Sequence, residues 1–320
     1  VRLENMPESS RWYPGAGLYR NVHVVVTEDA YIPIWGTYIT TPQVNDKFAR
    51  VRVETKVNLP EQADPSQYRI KTILCKPDGS LLQEKVQPLT DIVYNKDVMV
   101  QEFIVEDPTL YTAVSNIYKG NDQLKDEYTT RFGIRSIEII PDKGFFLNGQ
   151  RTVFKGVCNH HDLGPLGAAV NDAAIRRQIR MLKDMGCNAI RTSHNMPAPE
   201  LVRACDEMGI MLMAESFDEW DKAKCANGYH TLFDEWAEKD LTNLIHHYRN
   251  NPSVVMWCIG NEVPTQWDEG GCKTARFLQD ICHREDPTRP VTQGMDAPDA
   301  VVNNNFAAVM DVPGFNYRPF

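Results

Sequence analysis

The chain has 320 residues, of which 42% are apolar and 24% charged, and a formal net charge of −9. That is long enough for two or three domains with a large core. The acidic balance argues against nucleic acid as a partner, because phosphate binding depends on a cationic surface. No apolar run approaches the ~20 residues of a membrane span, so a membrane is not an expected partner either.

Val1 to Asn5 reads as a strand already under way, with no signal peptide before it, so the natural N-terminus is expected to lie upstream. The next stretch, to about residue 135, is strand-like. Ala49, Val51, Val53 and Val57 alternate with Arg50, Arg52, Glu54 and Lys56, the period of a strand with one wet face. Tyr68 to Leu74 repeats that style, and Pro77-Asp78-Gly79-Ser80 is a turn before Leu81-Leu82. Val98 to Val105 follows, then a break at Asp107-Pro108-Thr109-Leu110-Tyr111, then Ala113 to Tyr118 and one long run from Tyr128 to Ile140. About seven short strands without helical period predict a β-sandwich of immunoglobulin type. Tyr111 is either its tyrosine-corner residue or a core tyrosine.

Near residue 145 the pattern changes. Asn171-Asp172 caps a helix carrying Ile175, Ile179 and Leu182, which Gly186 ends. Strands are predicted at residues 188–191, 210–214, 253–259, 289–292 and 309–312, after a first one through Val157. Helices fall between: from Pro197 to Met208, Phe233 to Tyr248, and Thr274 to His283. Alternating β and α with apolar strands means a parallel sheet covered by helices. It closes either as an open doubly wound sheet or as a (β/α)8 barrel, of which about six units are present. No GxGxxG follows the first strand, so a dinucleotide has lost its usual signal.

The eight cysteines form no CxxC, which argues against zinc and for reduced, mostly buried thiols. A bacterial cytoplasm or periplasm is compatible with that. The strand ends are polar: Asn159-His160-His161-Asp162, Arg191 to Asn195, Glu215 to Trp220, Asn261-Glu262, and Asn316-Tyr317-Arg318. In a barrel such ends form the functional face. A ring of amides, carboxylates and aromatics suits a polyhydroxylated ligand, so a carbohydrate is the expected partner.

The segments SSRWYPGAGLYRNV (residues 9–22), FKGVCNHHDLGPLG (154–167), NAIRTSHNMPAPEL (188–201), AESFDEW (214–220) and WCIGNE (257–262) occur in one order and spacing. Together they resemble glycoside hydrolase family 2, most of all its β-galactosidases. The resemblance implies a multidomain β and α/β chain. Residues 1–28 would be the last strand of a jelly-roll sugar-binding domain plus linker, 29–137 an immunoglobulin-like β-sandwich, and 138–320 the N-terminal part of a catalytic (β/α)8 TIM barrel, truncated after about six units.

It also implies a retaining hydrolase of terminal β-galactosides, with Glu262 as general acid/base and Asn261 on the sugar 2-hydroxyl. Apolar neighbours such as Trp257, or a second carboxylate, would raise the Glu262 pKa. The nucleophile, a Glu at the end of barrel strand 7, is expected beyond residue 320, so these residues alone should be inactive. His194, Arg191, His160 in preference to His161, Asp218, Trp220 as a stacking platform, and Tyr317 are the candidate substrate-binding residues. Glu219 and Asp221 are candidate ligands for magnesium, although Asp221 stands where metal-dependent members carry His. A homo-oligomer is compatible with all of this. Other family specificities, β-glucuronidase and β-mannosidase, remain alternatives, as does a non-catalytic carbohydrate-binding protein, although the latter has no need of a general acid.

Overall fold

The computed structural model describes residues 2–12, 15–45, 47–91, 98–105 and 110–318. They divide into two compact units, His23–Thr152 with Arg249–Pro252, and Val1–Val22 with Val153–Tyr248 and Ser253–Phe320.

The first unit is a sandwich of antiparallel strands: β1 (Thr37–Val44), β2 (Ala49–Lys56), β3 (Tyr68–Cys75), β4 (Leu81–Pro88), β5 (Val98–Val105), β6 (Leu110–Lys119) and β7 (Gln123–Gly133). One sheet has the order β1-β2-β5, the other β4-β3-β6-β7, the immunoglobulin-like arrangement. In β2 and β3 every second side chain is buried, because one sheet face packs inward while the other meets water. Val51 and Val53 thereby meet Leu74, Tyr111, Ala113 and Phe132. Tyr111 is a core residue whose ring stacks on Phe132 at 5.9 Å. At the turn after β3, Gly79 takes φ +83°, which favours glycine, and Asp78 Oδ1 accepts from Ser80 N and Oγ at 2.9 and 2.6 Å. Of the break expected over residues 107–111, residues 107–109 lie outside the described residues, whereas Leu110 and Tyr111 open β6, paired with Gly133 and Phe132 of β7.

Some expectations change here. Tyr128 to Ile140 is not one strand: β7 stops at Gly133, and β8 (Ile137–Ile140) joins β9 (Gly144–Leu147) and β10 (Gln150–Arg151) in a separate antiparallel sheet. Between β7 and β8 the backbone leaves the ladder, and Ser136 N donates to the Asn148 side chain at 3.0 Å. The strand expected within residues 1–28 is absent from the described residues, which hold no neighbouring ladder for it to join. β1 carries Pro42 and a register slip between Thr40 and Gln43, so its alternation was not legible.

The second unit alternates β11 (Gly156–Asn159), α1 (Asp172–Asp184), β12 (Ala189–Thr192), α2 (Pro199–Met208), β13 (Met211–Glu215), α3 (Phe233–Tyr248), β14 (Val254–Asn261), α4 (Gly271–Glu285), β15 (Val291–Met295), α5 (Pro298–Asn303) and β16 (Val312–Phe315). The six strands are parallel and stand in sequence order. A doubly wound sheet would reverse its order at a switch point; this one is an arc of a (β/α)8 barrel.

Asn171 caps α1 by accepting from Ala174 N, and Gly209 ends α2 in the left-handed region. All eight residues of β14 are buried. Ile190, Leu212, Val254 and Ile259 pack against Ile179, Leu201, Leu241 and Leu278 of the helices, each burial worth about 1.5–3 kcal/mol. The last strand begins at Val312 rather than at Val309, because Ala307–Val309 is a 3-10 turn that buries Ala307 and Val309 in the core. Helix α5, with 6 residues, is too short for a period to show. All eight cysteines are free, but only Cys205, Cys258 and Cys282 are buried, fewer than expected. Among the described residues no helix is long and apolar enough to cross a membrane.

Candidate active site

Since all strands of the second unit point one way, their C-terminal ends share a rim. The rim collects His160 after β11, Arg191 on β12 and His194 beyond it, Glu215 ending β13, Asn261 ending β14, Glu262 next to it, and Asn316 and Tyr317 after β16.

At its base lies a buried ion pair. Glu215 is fully buried, and Arg191 Nη2 donates to its Oε1 at 2.9 Å. Arg191 Nε stands 2.7 Å from Oε2, a charge contact without hydrogen-bond alignment. His194 Nδ1 lies 3.0 Å from the same Oε1, and Arg191 Nη2 also reaches Asn261 Oδ1 at 3.0 Å. A Cβ on Gly294 would come within 2.7 Å of Arg191 Nη2, so glycine at that position makes room for the guanidinium.

Glu262 is aimed by the backbone. Between Cys258 and Asn261, β14 gains one residue on β15; such bulges re-aim side chains beside sites. Glu262 then takes φ +46°, and its N–H donates to Gly294 O at 2.7 Å. A left-handed non-glycine costs on the order of 1–3 kcal/mol and persists only where its surroundings impose it.

Glu262 Oε1 accepts from Asn316 Nδ2 at 2.8 Å, and Arg11 Nη1 stands 4.0 Å from Oε2. Burial alone would raise this carboxyl. Hydrogen bonds from Asn316 and Tyr317, and the charges of Lys224 and Arg11, outweigh burial and hold it below the usual range. The expected elevation is thus reversed. Trp257 does not contribute it: its Nε1 donates to Asp286 Oδ2 at 3.0 Å, and its ring lies under Arg289.

Asn261 is nearly inaccessible. Its Nδ2 donates to Asp218 Oδ1 at 3.2 Å, and its Oδ1 accepts from Arg191 and, at 3.0 Å, from Asn316. Asp218 is gripped by Arg11 through a fork, Nη2 to Oδ1 at 2.6 Å and Nε to Oδ2 at 3.0 Å. Lys224 Nζ donates to Asp218 Oδ1 at 3.0 Å and to Asn261 O. Burial pushes the Lys224 amine down, and Asp218 offsets part of that. Tyr317 is largely exposed at the rim.

On the other side, the His160 and His194 rings lie 5.2 Å apart and both flank Trp12, at 5.0 and 5.7 Å. Burial, and then the nearby His194, lower the His160 pKa. His161 turns away, with Nε2 2.8 Å from Ala168 O and its ring stacked on Tyr19.

Two assignments need correction. Trp220 is no stacking platform: it is fully buried, donates to Ile259 O at 2.8 Å and packs near Phe306. Glu219 and Asp221 do not assemble a magnesium cage. Glu219 Oε2 accepts from Lys224 N at 2.7 Å, and Oε1 from His230 N and Nδ1 at 2.8 and 2.9 Å. Asp221 Oδ1 accepts from Thr265 Oγ1 at 2.6 Å. Among the described residues no group of three metal-binding side chains forms, so the residues present do not fit the ion.

Arg11, Trp12 and Lys224 belong to the cluster although sequence reasoning gave them no role, and Glu215 and Asn316, expected only as part of the polar strand ends, stand at its centre. Arg11 is 207 residues from its partner Asp218, a distance no periodicity bridges. The legible signals were the RW pair inside residues 9–22 and the carboxylate ending strand 3.

Comparison with known proteins agrees with this architecture. The family profile described as "Glycosyl hydrolases family 2, TIM barrel domain" matches residues 138–312, and "Glycosyl hydrolases family 2" matches residues 31–135. A β-galactosidase of Bacteroides ovatus is 38% identical over 99% of this chain and 42% of its own length. A β-glucuronidase of Bacteroides fragilis is 28% identical over 91% of this chain and 44% of its own length. The crystal structure of a glycosyl hydrolase family 2 member from Bacteroides cellulosilyticus superposes with TM-score 0.89 at 32% identity, covering 97% of this chain and 40% of that one. The chain thus spans less than half the length of these relatives. On this evidence the chain belongs to glycosyl hydrolases family 2.

Proposed function

We propose that the protein containing these residues cleaves terminal β-galactosides from oligosaccharides with retention, using Glu262 as general acid and then general base. The observation that carries this reading is the placement of Glu262 at the end of β14, beside Arg191, His194, Asn261 and Asp218 through shared partners. Glu262 would protonate the glycosidic oxygen, then take a proton from the attacking water. Its left-handed backbone fixes the direction of that transfer.

The second carboxylate of a retaining site stands about 5–5.5 Å from the first. Glu215 is committed to Arg191 and His194, and Asp218 to Arg11, Lys224 and Asn261. The resemblance to the family puts the nucleophile on a Glu at the end of barrel strand 7, outside residues 1–320, and on that reading these residues alone are inactive. A neighbouring second carboxylate would also raise the proton affinity of Glu262, which the hydrogen bonds of Asn316 and Tyr317 and then the charges of Lys224 and Arg11 depress here. Arg191, itself held by Glu215, supports Asn261 through its side-chain oxygen, and His160 and His194 offer ring nitrogens to sugar hydroxyls. Trp12, half-buried beside both rings, takes over the aromatic role that Trp220 cannot fill.

The galactoside preference draws support from the relative in Bacteroides ovatus. A glucuronide is the second reading, favoured by the β-glucuronidase relative in Bacteroides fragilis. The test is turnover of nitrophenyl β-galactoside, β-glucuronide and β-mannoside by the full-length gene product. Galactoside turnover is expected, with Glu262→Gln losing substrates that have poor leaving groups and sparing activated ones. No turnover on any of them would favour the carbohydrate-binding alternative.

A further inference from the structure

Among the described residues, 2–12 and 15–22 contain no helix or strand, yet they are tied to the rim at several points. Asn227 N donates to Glu8 O at 3.0 Å, and Asn227 Nδ2 donates to Pro7 O at 2.8 Å. Further along, Trp12 packs on His160 and His194, Tyr19 stacks on His161, and Arg20 donates to Met196 O and Pro197 O. The loop that holds residues 7 and 8 is itself stapled. Glu219 binds two of its amides, and a Cβ on Gly228 would come within 2.1 Å of the Glu219 carboxylate. Residue 11 is therefore held by structure on both sides.

We propose that Arg11 is the residue that selects the leaving group, by donating a hydrogen bond from Nη1 to an oxygen of a leaving-group sugar. This inference rests on the hydrolase reading above. A general acid delivers its proton to the leaving oxygen, so a group against the outer oxygen of Glu262 faces the leaving sugar rather than the ring being transferred. Arg11 Nη1 occupies that position, 4.0 Å from Glu262 Oε2, beyond hydrogen-bond reach. Nε and Nη2 are spent on Asp218, which is fixed in turn by Lys224 and Asn261. The fork orients the guanidinium before any ligand arrives, so little conformational entropy is lost on binding. The Arg11 side chain remains 39% accessible, open on one side for a sugar hydroxyl. A nitrophenyl leaving group gives that N–H a poorer acceptor.

The test uses the full-length enzyme with two substrates sharing one transferred sugar, a disaccharide and its nitrophenyl glycoside. A hydrogen bond to a charged group is worth about 1.5–3 kcal/mol, so Arg11→Ala should lower kcat/KM on the disaccharide by about 10-fold or more, and on the nitrophenyl glycoside by clearly less. Arg11→Lys keeps the charge but not the fork, and should fall between the two on the disaccharide. The melting temperature of each variant separates these effects from unfolding. Equal losses on both substrates, or no loss on the disaccharide, in a folded variant would overturn the selection role while leaving the hydrolase reading intact. A wild type that cleaves neither substrate overturns both.

Discussion

Trp220 donates its indole N–H to the carbonyl of Ile259, 2.8 Å away, directly beneath the backbone slip that carries Asn261 and Glu262. The indole leaves no space for a side chain above it: a Cβ on Gly260 would come within 2.8 Å of Trp220 Nε1. A buried ring thus shapes the strand end that presents the acid.

Gly260→Ala should therefore cost about 1–3 kcal/mol by overpacking. It should also lower activity of the full-length enzyme beyond what the stability loss explains, because the strand end moves. Urea unfolding and kcat on one glycoside check this. A variant with wild-type kcat would break the link between Trp220 and the aim of Glu262.

Arg191→Ala leaves Glu215 fully buried with its main cation gone. Removing one partner of a buried pair costs about 3–5 kcal/mol. The expectation is a matching drop in unfolding free energy, followed by tryptophan fluorescence in urea, with a smaller drop for Arg191→Lys. An unchanged midpoint for the alanine variant would contradict the central position given to this pair.

Asn316 donates to Glu262 and so favours its carboxylate form. Removing the donor in Asn316→Ala should raise the Glu262 pKa. A general acid with a raised pKa keeps its proton to higher pH, so the basic limb of the kcat/KM profile should move up. A limb that stays in place or moves down would show that Asn316 does not set this proton affinity.

Glu285, half-buried at the end of α4, bonds to His246 of α3 at 2.6 Å and to Arg284. The His246 hydrogen bond leads in lowering its pKa to about 2, from an ordinary value of 4.5. A depressed carboxyl adds stability that is complete above its unfolded value and is lost as the pH falls toward the folded one. The melting-temperature gap between wild type and Glu285→Gln should be full above pH 4.5 and close toward pH 2. A gap that stays constant across that window would exclude this origin.

The barrel helices were legible because they obey local rules. Asn171 caps α1, Gly209 ends α2, and α3 begins and ends where its apolar pattern does. Strands β2 and β3, one in each sheet of the sandwich, alternate cleanly for the same reason, since side-chain direction repeats every second residue. Pattern failed where tertiary contacts decide. The chain leaves the ladder after β7, and the start of β16 is displaced by a turn that buries its apolar side chains.

The sequence by itself determined the alternation of the six barrel strands with their longer helices, the family, and the identity of the polar strand ends, because these follow from short-range periodicity and contiguous motifs. Only the tertiary structure decided which of those polar groups meet. It turned Trp220 inward, spent Glu219 on backbone amides, and brought Arg11 across the chain to Asp218 beside Glu262. It also fixed the sign of the Glu262 shift, since Arg11, Lys224, Asn316 and Tyr317 come together there only on folding. Coulomb and hydrogen-bond energies depend on separation in space, and separation along the chain does not encode it.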